Sequence, residues 1–331
     1  MKRIFPLLFV LFFSCSREPC ALGDTCSLGS LLLYQPASNI VGMANGEYVV
    51  STNMGQSWTR KTLLAGQAFN VMAHNDGVYL AADYLLGNQI LASRDGGLTW
   101  SATTNSPFGS TAVKMIVQNG TFVMAGSGAN QIAISTDRGT SWTQTTGPAA
   151  GLQTLGFAGG VIFGPTAGAT GIFVSTDTGK TWNAATGLPA NQYTPAAGTA
   201  ALTGTIEDST GNVYIYNFAT KSFTANGSNI GNTLTNPAYL GYGNGVFLAS
   251  AISSGPVTLY VSTDLVTWKT VTPPASCLSI GDATFAAGYF LITCQMDVFI
   301  STDAVTWTGS STGATVSLGG ISAFQSFFSA R

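Results

Sequence analysis

Charge is the first thing this chain lacks. Only 8% of its 331 residues are charged, and 12 Lys+Arg stand against 14 Asp+Glu for a formal net charge of -2. Such a chain has no basic field to hold a phosphate backbone, which excludes nucleic acid as a partner, and it carries no acidic tail. Histidine is nearly missing too. With His74 as the sole histidine, neither a histidine-based metal site nor a Ser-His-Asp triad with other candidates is available, and its place beside an Asn75-Asp76-Gly77 turn reads as a hairpin shoulder. Walker, GxGxxG and CxxC patterns are absent, so no cofactor and no metal are expected. Long amphipathic helices are not in evidence. The apolar run 4–13 has ten residues, short of the roughly 20 that span a bilayer core.

What is present points to strands and turns. Apolar residues make up 45% of the chain, and 40 glycines punctuate a sequence rich in Ser, Thr and Asn, the composition of many short strands joined by tight turns. Near copies of one stretch recur: "VSTNMGQSWT", "ASRDGGLTWS", "ISTDRGTSWT", "VSTDTGKTWN", "VSTDLVTWKT" and "ISTDAVTWTG". Their tryptophans, Trp58, Trp100, Trp142, Trp182, Trp268 and Trp307, follow one another at intervals of 42, 42, 40, 86 and 39. The gap of 86 is two periods, because "VYIYNFATKSFT" lies inside it with Phe223 at the tryptophan place and Phe218 at the aspartate place.

Seven units of about 40 residues predict an all-β, seven-bladed β-propeller of four-stranded antiparallel blades. Within one unit, "VKMIVQNGTFVMAG" supplies two strands about an Asn119-Gly120 hairpin, "QIAIST" a third, and the residues after Trp142 a fourth. "ISAFQSFFSA" after Trp307 reads as the first two strands of a unit whose third strand and box come from "GEYVVSTNMGQSW". The N- and C-terminal strands therefore share one blade and close the ring, which hides otherwise unpaired edges. The expected organisation is a signal peptide at 1–14, a lipidated cysteine and tether at 15–30, and a monomeric propeller at 31–331.

The recurring stretch has a local chemistry. A short carboxylate at a hairpin tip accepts hydrogen bonds from backbone N–H groups two residues on. A glycine two positions later adopts positive φ without a Cβ penalty, a preceding serine ties the shoulder, and the indole buries its apolar face between blades. The candidate structural set is Ser51, Asn53 and Trp58; Ser93, Asp95 and Trp100; Ser135, Asp137 and Trp142; Ser175, Asp177 and Trp182; Ser262, Asp264 and Trp268; Ser301, Asp303 and Trp307. Asn53 replaces the aspartate in the first copy, and the last two copies are one residue shorter and lack the glycine, so their turn must differ. One carboxylate per blade, spread around a ring, cannot converge on a substrate or a metal.

These residues resemble the Asp-box, or BNR repeat, of sialidases, sortilin-type receptors, xyloglucan hydrolases and photosystem assembly factors. The resemblance implies a box that caps the hairpin between third and fourth strands and is mainly structural. It also raises sialidase chemistry, which needs three arginines, a tyrosine nucleophile with a glutamate, and an acid/base aspartate. Arg94 and Arg138 fall inside boxes, Arg17 falls in the tether, and too few arginines remain.

Lys2 and Arg3 before the apolar run form a secretory signal. The residues ahead of Cys15 resemble a bacterial lipobox, with Ser14 as the small residue, which implies lipid attachment at Cys15; cleavage at another small residue would leave the protein soluble. The chain is expected in the cell envelope, lipid-anchored at the outer membrane or cell surface, and otherwise periplasmic or secreted. Four further cysteines suit an oxidising compartment. Cys277 and Cys294 flank a turn near Gly288, and Cys20 and Cys26 could close a small loop in the tether, although spacing alone fixes neither pair.

Two functional readings follow. The first is a non-enzymatic binding or assembly module whose ligand is an envelope protein or a glycan. Its weak candidate contacts lie on loops opposite the boxes: Asp83, Tyr84, Leu85 and Leu86 in "DYLLGNQ", and Asn191 and Tyr193 in "GLPANQYTP". The second is a glycan-active hydrolase using Glu207 and Asp208, the adjacent acidic pair in "TGTIEDSTGN". Neighbours on one strand point to opposite faces and do not naturally straddle a glycosidic bond, so solvated turn residues is the blander reading of that pair.

Overall fold

The computed structural model describes residues 14–15, 18–19, 39–63, 69, 71–83, 89–103, 107–108, 112–166, 171–189, 193–197, 204–208, 211–230, 237–251, 257–273 and 277–324, with 14–15, 18–19, 193–197, 204–208, 237–240, 251 and 323–324 as backbone alone. The chain divides into two units, Met1–Ala37 with Phe327–Arg331, and Ser38–Ser326. In the first, the strand Ser14–Cys15 pairs antiparallel with Glu18–Pro19. Among the described residues no helix is long and apolar enough to cross a membrane.

The larger unit is built from antiparallel runs of four strands. Sheet A joins Leu318–Phe324, Asn39–Ala44, Glu47–Ser51 and Thr59–Thr62, so the two ends of the chain hydrogen-bond to each other, with Gly42 opposite Ile321. One strand comes from the C-terminal side and three from the N-terminal side, where an equal share was expected: "NIVGMA" is apolar enough to serve as the second strand. Sheet B holds Val71–Asn75, Val78–Ala82, Ile90–Ser93 and Ser101–Ala102; sheet C holds Ala112–Gln118, Thr121–Gly126, Gln131–Ser135 and Thr143–Thr146; sheet E holds Ile280–Ala286, Tyr289–Cys294, Asp297–Ser301 and Thr308–Ser311.

Between C and E the expectation of separate blades is not met. Residues 156–271 form one twelve-stranded sheet, D. It contains three antiparallel runs, beginning at Gly156–Ala158, Tyr193–Ala197 and Pro237–Gly243. These first strands pair in parallel, Phe157 with Ala197 and Ala196 with Leu240, which merges the runs.

Strand chemistry follows position. Second and third strands such as Thr121–Gly126 and Gln131–Ser135 are buried nearly throughout, whereas the outermost Thr143–Thr146 is mostly exposed and reads "TQTT". Apolar inner strands covered on both faces and a polar outer edge suit sheets stacked side by side. At the hairpin between the first two strands of C, Asn119 and Gly120 take φ of 49° and 74°, the two left-handed residues of a type I′ turn.

The cores lie between sheets. Val41, Tyr48 and Tyr79 join A to B; Leu80, Phe122 and Met124 join B to C; Val123, Ile132 and Ile162 join C to D; Leu248, Phe290 and Ile292 join D to E; Leu291, Val298 and Ile40 join E back to A. The cycle closes. Each fully buried side chain of this size contributes roughly 1.5–3 kcal/mol, so every sheet depends on both neighbours.

Candidate functional site

Antiparallel sheets present two ends, and the recurring boxes occupy one of them. In sheet C, Ser135 Oγ donates to Asp137 Oδ1 at 2.8 Å and accepts from Gly139 N at 2.8 Å, while Asp137 Oδ1 accepts from Ser141 N at 2.9 Å. Asp177 repeats the pattern with Ser175 and Thr181, and Asn53 repeats it with Ser51 and Ser57 N through its amide oxygen. The short boxes reach the same end differently. Ser262 Oγ accepts from Leu265 N at 2.8 Å, one residue earlier than in the long boxes, and Leu265 and Ala304 supply the left-handed residue with φ of 62° and 59°. Both are buried, so their side chains fill the space between neighbouring repeats.

These bonds explain the charge state of the tips. Hydrogen bonds from the Ser141 side chain and backbone hold Asp137 at about 2, and backbone N–H groups of Thr267 with Val266, and of Thr306 with Val305, hold Asp264 and Asp303 at about 2. At Asp95 and Asp177 partial burial pushes upward, and the hydrogen bonds from Thr99 and Thr181 outweigh it, so both lie below the usual carboxylate range. Each carboxylate is occupied by its own turn.

The indoles sit at the joints. Trp58 packs on the core shared by E and A, Trp100 on A and B, Trp142 on B and C, Trp182 on C and D, Trp307 on D and E, and Trp268 within D. Trp58 Nε1 donates across its joint to Ser310 Oγ at 3.0 Å; Trp182 Nε1 donates to Gly179 O at 3.1 Å. In the degenerate repeat, Phe223 is buried at the tryptophan place. Phe218 does not act as the cap there: Asn217 Oδ1 accepts from Ala219 N at 2.9 Å and Thr220 N at 3.1 Å. The alignment concealed Asn217 because it precedes the aspartate place by one.

The opposite end carries the turns between second and third strands and the connections between repeats, where binding residues were expected. Asp83 is buried rather than exposed, and its N–H donates to Gln89 O at 3.2 Å across the loop base. Tyr84, Leu85, Leu86 and Asn191 lie outside the described residues. The backbone of Tyr193 is opposite Asp208, and Glu207 and Asp208 belong to the strand Gly204–Asp208 instead of a turn. Cys15 falls in its short pairing, and Cys20 and Cys26 lie outside the described residues. Cys277 and Cys294 form a disulfide with Cα atoms 5.0 Å apart.

That disulfide leads to a cluster the sequence did not signal. Leu278 is 61% exposed, Met296 43% and Val316 38%, all at this end of the molecule. The segments bearing them are tied: the disulfide joins the first to the second, Leu318 N donates to Gln295 O at 2.7 Å, and Thr312 Oγ1 donates to Met296 O at 2.5 Å. The same three segments hold Asp282. Its N–H donates to Thr293 Oγ1 at 2.8 Å, and its Oδ2 accepts from Ile321 N at 3.0 Å. From sheet C, Lys114 Nζ reaches Asp282 Oδ1 at 3.4 Å. Both residues adjoin register shifts, at Ala112/Lys114 and Ile280/Ala283, and a bulge re-aims the side chain beside it.

The solved structures that resemble this chain carry the same architecture. "YCF48 bound to D1 peptide" superposes with a TM-score of 0.62 at 13% identity, covering 90% of this chain and 91% of that one. The fold is a β-propeller. "YCF48 from Cyanidioschyzon merolae" matches this propeller with a TM-score of 0.57 at 10% identity, over 87% of this chain and 95% of that one. No protein-family model and no curated protein sequence matches the chain. Identities this low carry the fold alone.

Proposed function

We propose that this propeller is a non-enzymatic binding or assembly module of the Asp-box type, exported and lipid-anchored through Cys15 in the cell envelope. It holds a segment of an envelope protein on the face opposite its boxes. In this reading the twelve-stranded sheet counts as three blades whose first strands touch, so the ring has seven. The observation that carries the proposal is the cluster of Leu278, Met296 and Val316 on segments locked by a disulfide and backbone hydrogen bonds. Exposed apolar side chains on a rigid frame bind without losing much conformational entropy. The YCF48 structure solved with a D1 peptide supports the choice of a protein ligand over a glycan.

The test is a photo-crosslinkable residue at Met296 in the intact, exported chain. A specific adduct with an envelope protein, weakened at least several-fold by Leu278→Ser, is expected. Turnover of a sialoside or β-glucan that Glu207→Gln or Asp208→Asn abolishes would replace this reading with a hydrolase. Retention of a palmitate label by Cys15→Ala would remove the anchor assignment.

A further inference from the structure

Lys114 and Asp282 are singular in the sequence as well as in the structure. The first strands of the seven repeats, Leu318–Phe324, Val71–Asn75, Ala112–Gln118, Gly156–Ala158, Tyr193–Ala197, Pro237–Gly243 and Ile280–Ala286, contain one lysine and one aspartate between them. The fold brings these two together from sheets C and E, which have A and B between them on one side. Both residues lie toward the starts of their strands, the end at which Leu278, Met296 and Val316 are exposed.

The two partners are held unequally. Asp282 is fixed by Ile321 N on its second oxygen and by Thr293 on its backbone, and its side chain is 17% exposed. Lys114 makes a single 3.4 Å contact and is 30% exposed, so two of its three N–H donors have no acceptor in that contact. The ammonium is the more exposed of the two, and Asp282 is its pinned counter-charge.

Resting on the reading of this face as a protein-binding surface, we propose that its occupant is a peptide segment with an acidic side chain between apolar residues. The apolar residues rest on Leu278, Met296 and Val316, and the carboxylate accepts from Lys114 Nζ. Charge complementarity selects the acidic side chain, because the carboxylates at this rim are already engaged, Asp282 by Ile321 N and Glu47 by Thr315, Val316 and Arg60, while the Lys114 ammonium is accessible. The apolar contacts supply affinity; the lysine supplies selectivity.

The experiment uses the full mature chain and a pair of N-acetylated, C-amidated heptapeptides rich in Leu, Val and Met, identical except for a central Glu or Gln. Blocked termini leave the side chain as the sole source of negative charge. Titration by fluorescence anisotropy is expected to give roughly 3- to 10-fold tighter binding of the Glu peptide, the size of one partly exposed charge-assisted contact. Lys114→Met should erase that ratio while the Gln peptide keeps its affinity, and Lys114→Arg should preserve it. Asp282→Asn still accepts from Ile321 N and releases the ammonium, so it should raise affinity for the Glu peptide. The preference should shrink with added salt.

Equal binding of the two peptides, or a Glu preference that survives Lys114→Met, overturns the proposal and leaves the apolar surface standing. Failure of both peptides to bind, with no effect of Leu278→Ser on crosslinking, overturns the protein-binding reading and this inference with it.

Discussion

Glu47 accepts the backbone N–H of Thr315 at 2.5 Å across 268 residues of sequence. Its carboxylate also takes Val316 N at 3.2 Å and the Thr315 hydroxyl at 3.0 Å, with Arg60 Nε 3.6 Å away. This nearly buried side chain pins the connection into the last strand of the ring, where the two ends of the chain meet. Replacing it leaves that connection untied beside the closing strand pair. Glu47→Ala is expected to lower stability by about 2 kcal/mol, the scale of hydrogen bonds to a charged acceptor, with Glu47→Gln losing less. Urea unfolding decides it: an unchanged midpoint in Glu47→Ala means the tie is idle.

Gly139 tests the turn. Its φ is 79°, and an added Cβ would lie 2.5 Å from Leu80 Cδ1 of the neighbouring sheet. Gly139→Ala therefore strains the backbone and presses on a buried side chain at once, for an expected loss of roughly 1–3 kcal/mol. Ser135→Ala removes the acceptor of Gly139 N and should cost about 1–3 kcal/mol through an unmet buried donor. Gly120→Ala, at a hairpin with open space around it, carries the backbone penalty alone and should be milder than Gly139→Ala by thermal melting.

Acid should loosen the propeller from its box end. Asp137, Asp264 and Asp303 titrate near 2 in the folded chain, below their unfolded value of 3.8, because turn hydrogen bonds favour the charged form. A depressed folded value gives stability that is complete above the unfolded pKa and lost as pH falls through the window from about 4 to about 2. Exposure and screening keep each contribution small. Denaturant midpoints should fall across that window, and Asp137→Asn should flatten part of the fall; identical slopes in the two proteins would refute the assignment.

The Cys277–Cys294 bridge closes a separation of 17 residues. Loop-entropy reasoning puts its contribution near 3 kcal/mol, and its removal frees the segment carrying Leu278. The double variant Cys277→Ala/Cys294→Ala should melt earlier and show faster hydrogen exchange at residues 277–282 and 294–296. Unchanged exchange there would mean the backbone bonds alone hold the rim.

Much of the box end was legible because its chemistry is local. Ser135, Asp137 and Gly139 bond within four residues of one another, so spacing alone specifies the turn. The short boxes were recognisable as different, yet not their solution, since placing Leu265 at positive φ depends on a pocket made by other strands. Asn217 does not follow from the repeat, because it caps the amides of Ala219 and Thr220, well before Phe223, whereas Asp137 and Asp177 cap the amide immediately before their tryptophan. The merging of residues 156–271 into one sheet depended on how closely consecutive first strands approach, which no repeat period encodes.

By itself the sequence determined the period, the strand chemistry, the turn chemistry at the box end and that the chain's two ends share one sheet. Those follow from short-range sterics and alternation along the backbone. The tertiary structure alone decided that Lys114 meets Asp282 across 168 residues, and that Leu278, Met296 and Val316 share one rim. Such meetings are set by ring curvature and by bulges that turn single side chains. Those depend on how all the sheets pack at once, a sum over the whole molecule that no local stretch contains.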